Sequence, residues 1–162
     1  MIVKIISGGQ VGADISSLQA AYDCGIKTGG TMPKGFKTQI GPKPNWAKKF
    51  GLEEHSSDKY PPRTYKNVKD SDATLRFAKN FNSSGELCTM KAINQYKKPY
   101  LDIDINNLPP EKEIVDWLIS NNIQILNIAG NAESTSKGIG LKVYKYLVKV
   151  FTSYLNELSP NQ

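Results

Sequence analysis

Apolar positions along the chain fall into two alternating patterns. Ile2–Ile6, Ala73–Ala78, Pro99–Ile103 and Ile123–Ala129 are short apolar runs. Runs of that kind predict strands buried on both faces of a parallel sheet. Between them the apolar positions space out at a helical period. Ala13–Cys24 carries Ile15, Leu18, Ala21 and Tyr22, and Glu86–Tyr96 carries Leu87, Met90, Ala92 and Ile93. Further helices are expected over Arg63–Asp70, Glu111–Ser120 and Gly138–Leu155. The boundaries agree: Gly25 stops the first helix, Pro61 and Pro62 stand near the start of the second, and Glu111 and Glu113 occupy a first turn, where the helix dipole favours them. Leu52–His55 reads as a short strand. Thr28 opens another, followed by a Gly-, Pro- and Lys-rich irregular excursion through Trp46. Long ordered loops in compact domains are often functional.

Strands alternating with helices predict an α/β fold of three layers, a mainly parallel sheet with helices on both faces. The 162 residues suit one domain, expected over 1–158 with a short tail at 159–162, and 39% hydrophobic with 22% charged residues excludes a disordered chain. Ligands of such sheets bind outside the carboxyl ends of the strands. The polar, Gly-rich segments follow strands, so they should gather along that edge.

A formal net charge of +6 fits either an anionic partner or a solvated Lys-rich surface. The basic residues form no dense run, which disfavours nucleic acid. Cys24 and Cys88 lack Cys/His partners at ligand spacing, so no metal site or disulfide framework is expected and both read as small buried residues. The opening apolar stretch is too short for a signal peptide or a membrane span, giving the expectation of a cytoplasmic protein without a membrane partner.

Three loops could carry chemistry. Ser7-Gly8-Gly9-Gln10-Val11-Gly12-Ala13-Asp14 lets backbone approach a phosphate at a helix N-terminus. It is neither the dinucleotide fingerprint nor a P-loop, and a tight turn with Asp14 as a cap is the alternative. Asn82-Ser83-Ser84-Gly85 either caps the helix after it or binds an anion there. Ala129-Gly130-Asn131-Ala132-Glu133-Ser134, continuing to Gly138, repeats that logic. Arg63, grouped with Thr64, Asn67, Asp70, Ser71 and Asp72, either grips an oxyanion or pairs with a carboxylate. Lys34 is a second candidate cation. Asp14, Asp72, Glu86 and Glu133 are the acid–base candidates. His55, the single histidine, reads as structural or superficial.

Ile6–Asp14, Thr28-Gly29-Gly30, Pro33-Lys34-Gly35, Tyr65-x-Asn67-Val68-x-Asp70-Ser71-Asp72-x-Thr74, Leu126–Gly130 with Glu133-Ser134, and Gly138-Ile139 together resemble the putative molybdenum carrier family. That family is related to the LOG, or lysine-decarboxylase-like, nucleotide proteins. The resemblance implies a Rossmann-like fold, homo-oligomers (dimer or tetramer), and an anionic ligand at the strand ends. That ligand would be molybdenum cofactor or a nucleotide-derived molecule. Loops and resemblance together give the expectation of a carrier, sensor or sequestering protein, with Ser7, Gly8, Gly9, Gln10, Gly12, Lys34, Arg63, Ser83, Ser84, Gly85, Gly130 and Ser134 around the ligand. The alternative is a LOG-like hydrolase of a nucleotide N-glycosidic or phosphate bond, with Glu86 as its candidate catalytic group. The chain departs from the family at Ser83-Ser84-Gly85-Glu86, where Thr-Gly-Gly-Thr is usual and the hydrolases carry Gly-Gly-x-Gly-Thr-x-x-Glu. Glu86 would repel a phosphate set against that helix.

Overall fold

The apolar runs become strands of one sheet: β1 (Lys4–Ile6), β2 (Thr28–Met32), β3 (Leu52–Glu54), β4 (Ala73–Ala78), β5 (Tyr100–Asp104) and β6 (Ile125–Gly130). The structure is a computed structural model and describes residues 1–159. The strand order is β3-β2-β1-β6-β4-β5, and every neighbouring pair is parallel. Ile5 stands beside Leu126, and Leu75 stands between Ile128 and Leu101. Ile5, Leu75, Phe77, Leu126 and Ile128 are fully buried, as the continuous apolar runs predict for strands covered on both faces.

Between the strands lie α1 (Ala13–Asp23), α2 (Pro44–Phe50), α3 (Tyr60–Lys69), α4 (Ser84–Tyr96), α5 (Glu111–Ser120) and α6 (Ile139–Leu158). α1 and α5 pack on α6, and α3 packs on α4. The first group shares the main core with the sheet, while Val68, Ala92 and Ile93 form a separate cluster under α3 and α4. The fold is the expected Rossmann-like α/β arrangement of three layers.

The stretch expected to be irregular is more ordered than its composition suggests. After β2 it makes a 3-10 turn at Lys34–Phe36 and then α2. Pro44 starts that helix in its first turn, where the missing N–H costs nothing. Ala47 and Phe50 then bury against Leu18, Met32 and Leu52. α3 likewise starts at Tyr60 rather than Arg63, with both prolines inside its first turn. The last helix continues to Leu158. Cys24 and Cys88 are half-buried rather than buried: Cys24 caps the end of α1 and Cys88 lines a cavity. Of the expected tail, 160–162 lie outside the described residues. No helix among the described residues is long and apolar enough to cross a membrane.

From β1 the chain winds outward through β2 to β3, then returns to β4 on the far side, with β6 filling the gap between β1 and β4. A sheet whose winding reverses in this way opens a crevice at the carboxyl ends of its inner strands.

Candidate functional site

A cavity of about 340 Å³ occupies that crevice, walled by the β1–α1 loop, α3, the first turn of α4 and the end of β6. Its size is in the range of small-molecule sites.

The β1–α1 loop is fixed from below. Ser7 is fully buried and its Oγ donates to the Ile128 carbonyl at 2.6 Å. Gly12 forms an antiparallel bridge to Ala132, through Ala13 N to the Asn131 carbonyl (3.2 Å) and Glu133 N to the Val11 carbonyl (2.9 Å). Two glycines let other atoms occupy their side-chain space. A Cβ on Gly8 would lie 1.6 Å from Arg63 Nη1, and one on Gly130 would lie 2.1 Å from the Phe77 carbonyl oxygen. At Gly85 the same position is open.

Asn67 places Arg63 in the cavity wall. Its amide pairs with both main-chain groups of Thr31, accepting from N at 2.8 Å and donating to O at 3.0 Å, which docks α3 on β2 one turn after Arg63. Arg63 Nη1 and Gln10 N both donate to Asp14 Oδ2, at 3.4 and 3.3 Å. Burial pushes the Asp14 carboxyl above its usual range despite the Arg63 charge beside it. Gln10 Nε2 donates to the Lys37 carbonyl at 2.9 Å, which fixes the amide so that Oε1 is its remaining acceptor. Gln10 Oε1 and Arg63 Nε are the buried side-chain polar atoms left without a partner among the described residues. Native interiors leave few such atoms unpaired.

At the head of α4, Ser83 caps the helix and accepts from Glu86 N. Ser83 Oγ (3.1 Å) and Asn131 Nδ2 (3.0 Å) both donate to Glu86 Oε2. The side chain is 2% exposed. Burial raises its pKa above the ordinary 4.5, with Asp14 adding to the shift and the two hydrogen bonds opposing it. Asn131 Oδ1 also accepts from Lys79 N, Asn80 N and Ser136 Oγ at 2.9, 3.0 and 2.8 Å. Beneath this hub Arg76 grips Asp102 with two bonds, Nε at 2.7 Å and Nη2 at 2.6 Å, and donates from Nη1 to the Glu86 carbonyl at 2.9 Å.

A match to the family model described as "Circularly permutated YpsA SLOG family" runs over residues 5–151. The chain belongs to this family. It is also similar to a crystal structure titled putative molybdenum carrier protein from Syntrophus aciditrophicus SB, at 38% identity, 93% coverage of this chain, 94% of that one and a TM-score of 0.83. No curated protein matches.

In this permuted YpsA member the cavity gathers Gly8, Gln10, Arg63, Ser83, Ser84, Gly85, Glu86 and Gly130. The other expected site residues lie apart. Ser7 lies beneath the loop, bonded to Ile128; Gly9 packs on Met32 and Leu52; Gly12 is spent on its bridge to Ala132. Lys34 is exposed on the 3-10 turn, and Ser134 touches the rim by donating to Gln39 at 2.9 Å. Among the acid–base candidates, Asp72 lies at the opposite end of the sheet. It precedes β4 and accepts from Gln124 N and Ile125 N at 2.9 and 2.8 Å. Glu133 accepts from Gly138 N and Gly140 N, so the chain's own carboxylate fills the N-terminus of α6. His55 Nδ1 accepts from Ser57 N at 2.9 Å. Arg76 and the hub role of Asn131 escaped sequence reasoning. The available signals were an arginine inside an otherwise apolar strand run, and an asparagine directly after the strand-ending Gly130.

Proposed function

We infer that the chain binds a phosphorylated small molecule, nucleotide-derived or molybdopterin-like, at the carboxyl edge of its sheet, as a carrier, sensor or sequestering protein. The observation that carries this reading is the β1–α1 loop, whose Gly8 and Val11 line the cavity together with the Arg63 side chain. No hydrogen bond among the described residues takes the N–H of Gly8 or Val11. These two cavity residues would meet phosphate oxygens by backbone donation, with the Arg63 guanidinium alongside. The name of the similar Syntrophus aciditrophicus structure, putative molybdenum carrier protein, agrees with a cargo-holding role.

Mass spectrometry of small molecules released from denatured protein tests the reading. A stoichiometric pterin or nucleotide supports it. A protein purified without one, and unaffected in melting by nucleotides and pterins, would refute it.

One observation keeps hydrolysis as the second reading. Glu86 is a buried carboxyl held in the cavity with a raised pKa, which suits a general acid. Incubation with a nucleotide panel separates the two: turnover lost in Glu86→Gln marks an enzyme, and binding without product marks a carrier.

A further inference from the structure

We propose that the groove between α1, α2 and α6 is a docking site for a short acidic segment of another protein, one that carries apolar side chains along one face. The site is separate from the cavity and does not depend on what the cavity holds.

The groove encloses about 670 Å³. Ile15 and Gln19 of α1 form its floor, Trp46 and Phe50 of α2 stand along one side, and Leu141 and Tyr144 of α6 along the other. None of its lining residues belongs to the cavity. Leu141 is 61% exposed, and Tyr22, three residues beyond Gln19 on α1, is 49% exposed. Large apolar side chains gathered at a concave surface mark an interaction site.

The charge of the two walls is one-sided. Residues 24–52, which include α2, and residues 134–156, which make up most of α6, together hold ten of the chain's 21 basic residues and none of its 15 acidic ones. None of the ion pairs among the described residues uses a lysine from either segment. Lys49 instead lies 5.1 Å from the ring centroids of both Tyr22 and Phe50 and donates to Gln19 Oε1 at 2.8 Å. Lys43 lies 5.4 Å from the Trp46 centroid. Such contacts hold a cation in place without neutralising it. The carboxylates that touch groove residues are engaged by protein donors. Asp23 accepts from the Tyr144 hydroxyl at 2.7 Å and from Gln19 Nε2 at 2.8 Å, and Glu133 accepts from Gly138 N and Gly140 N.

An apolar floor beneath unneutralised lysines selects an amphipathic partner of negative charge. Its apolar side chains would enter between Trp46 and Leu141, and its carboxylates would meet the exposed lysines of α2 and α6. The size of the groove favours a segment over a whole subunit: ten residues line it, against about 20–30 a side in a standard interface. A second copy bringing this same face would set lysine against lysine.

The probe is a synthetic helical peptide with leucines at i, i+3, i+4 and i+7 and glutamates elsewhere, titrated into the full chain by fluorescence anisotropy. Its controls are the same peptide with lysine in place of every glutamate, and an isomer whose leucines are scattered around the helix. The first peptide is expected to bind saturably and to weaken with added salt, and each control to bind about tenfold or more weakly by comparison. Leu141→Glu and Lys49→Glu, both at exposed positions, should each reduce affinity about tenfold. Lys69→Glu makes the same change of charge as Lys49→Glu on α3, away from the groove, and should leave affinity at the wild-type value.

The absence of saturable binding overturns the proposal. So does an equal loss in Lys69→Glu, which would mean that net charge alone draws the peptide. Two further measurements test other occupants. A wild-type dimer in sedimentation that Leu141→Glu dissolves would give the groove to a second copy. Phosphatidylserine vesicles that retain the wild-type chain and release Lys49→Glu would give it to a membrane. Either result overturns the assignment to an acidic protein segment.

Discussion

Asn131 Nδ2 donates to Glu86 Oε2 at 3.0 Å, so the residue that follows β6 and the first turn of α4 are joined beside the cavity. The same amide holds the N–H groups of Lys79 and Asn80 and the Ser136 hydroxyl. Asn131→Ala strands several of these groups at once. At ~1–3 kcal/mol for each buried group left unpaired, with partial rescue by water, the expected loss is about 3 kcal/mol in urea unfolding. A loss below about 1 kcal/mol would mean that water replaces the amide and that the hub is dispensable.

Gly8→Ala is expected to disable binding more than folding. Its methyl group would overlap Arg63 Nη1, the end of a flexible side chain, and not backbone. Arg63 would swing away from Asp14 and from the cavity. We expect affinity for a cavity ligand to fall about tenfold or more while stability drops by roughly 1 kcal/mol. Calorimetric titration beside a denaturant melt checks both. An unchanged affinity would remove Arg63 from the list of ligand contacts.

Glu86 also sets a dependence on pH. Its carboxyl titrates above the ordinary 4.5 in the folded chain because burial penalises the charge. A raised folded pKa gives stability that is fully present below the unfolded value and is lost as pH rises through the folded one. Asp14, raised from 3.8, acts in the same sense. Glu86→Gln removes one of the two titrations. Its Tm relative to wild type should therefore improve as pH rises from about 4.5 to 8, with roughly 2–4 °C for each kcal/mol relieved in a chain of this size. A difference in Tm that stays flat across that range would show that the carboxyl does not resist ionisation.

Asp72 supplies the contrasting case. Its carboxylate accepts from Gln124 N and Ile125 N at the end of the sheet away from the cavity. Asp72→Ala should cost about 1 kcal/mol of stability and leave ligand affinity at the wild-type value. A weakened affinity would contradict the division of the sheet into a structural end and a binding end.

These contrasts also show where the sequence was informative. The alternation of apolar runs with helical periods identified the strands and the helix order, because burial on two faces leaves a continuous apolar signature. Pro44 misled, since the residue that breaks a helix interior also begins a helix, and only the packing of Ala47 and Phe50 on Leu18 decides which. Gln10 and Ser83 were visible as polar residues in strand-end loops, and Arg63 as a polar residue at a helix start. Asp72 looked equivalent in sequence but precedes its strand, and in a parallel sheet that places it at the other end. Arg76 was hidden inside an apolar run, because its partner Asp102 lies on a neighbouring strand and the pairing exists only once β4 and β5 are in register. Glu133 and Glu86 both sit near helix starts. The backbone path alone makes the first a plug for its own helix and leaves one oxygen of the second unclaimed.

Gly130 and Gly85 mark two kinds of wall around one cavity. At Gly130 the chain meets the Phe77 backbone so closely that no side chain can be added, whereas Gly85 faces open space. Selection can therefore rewrite one wall and must inherit the other. A library confined to Ser84, Gly85 and Cys88 would reshape the cavity without reopening the sheet, and chains that share this backbone could diverge in what the cavity accepts while remaining nearly superimposable.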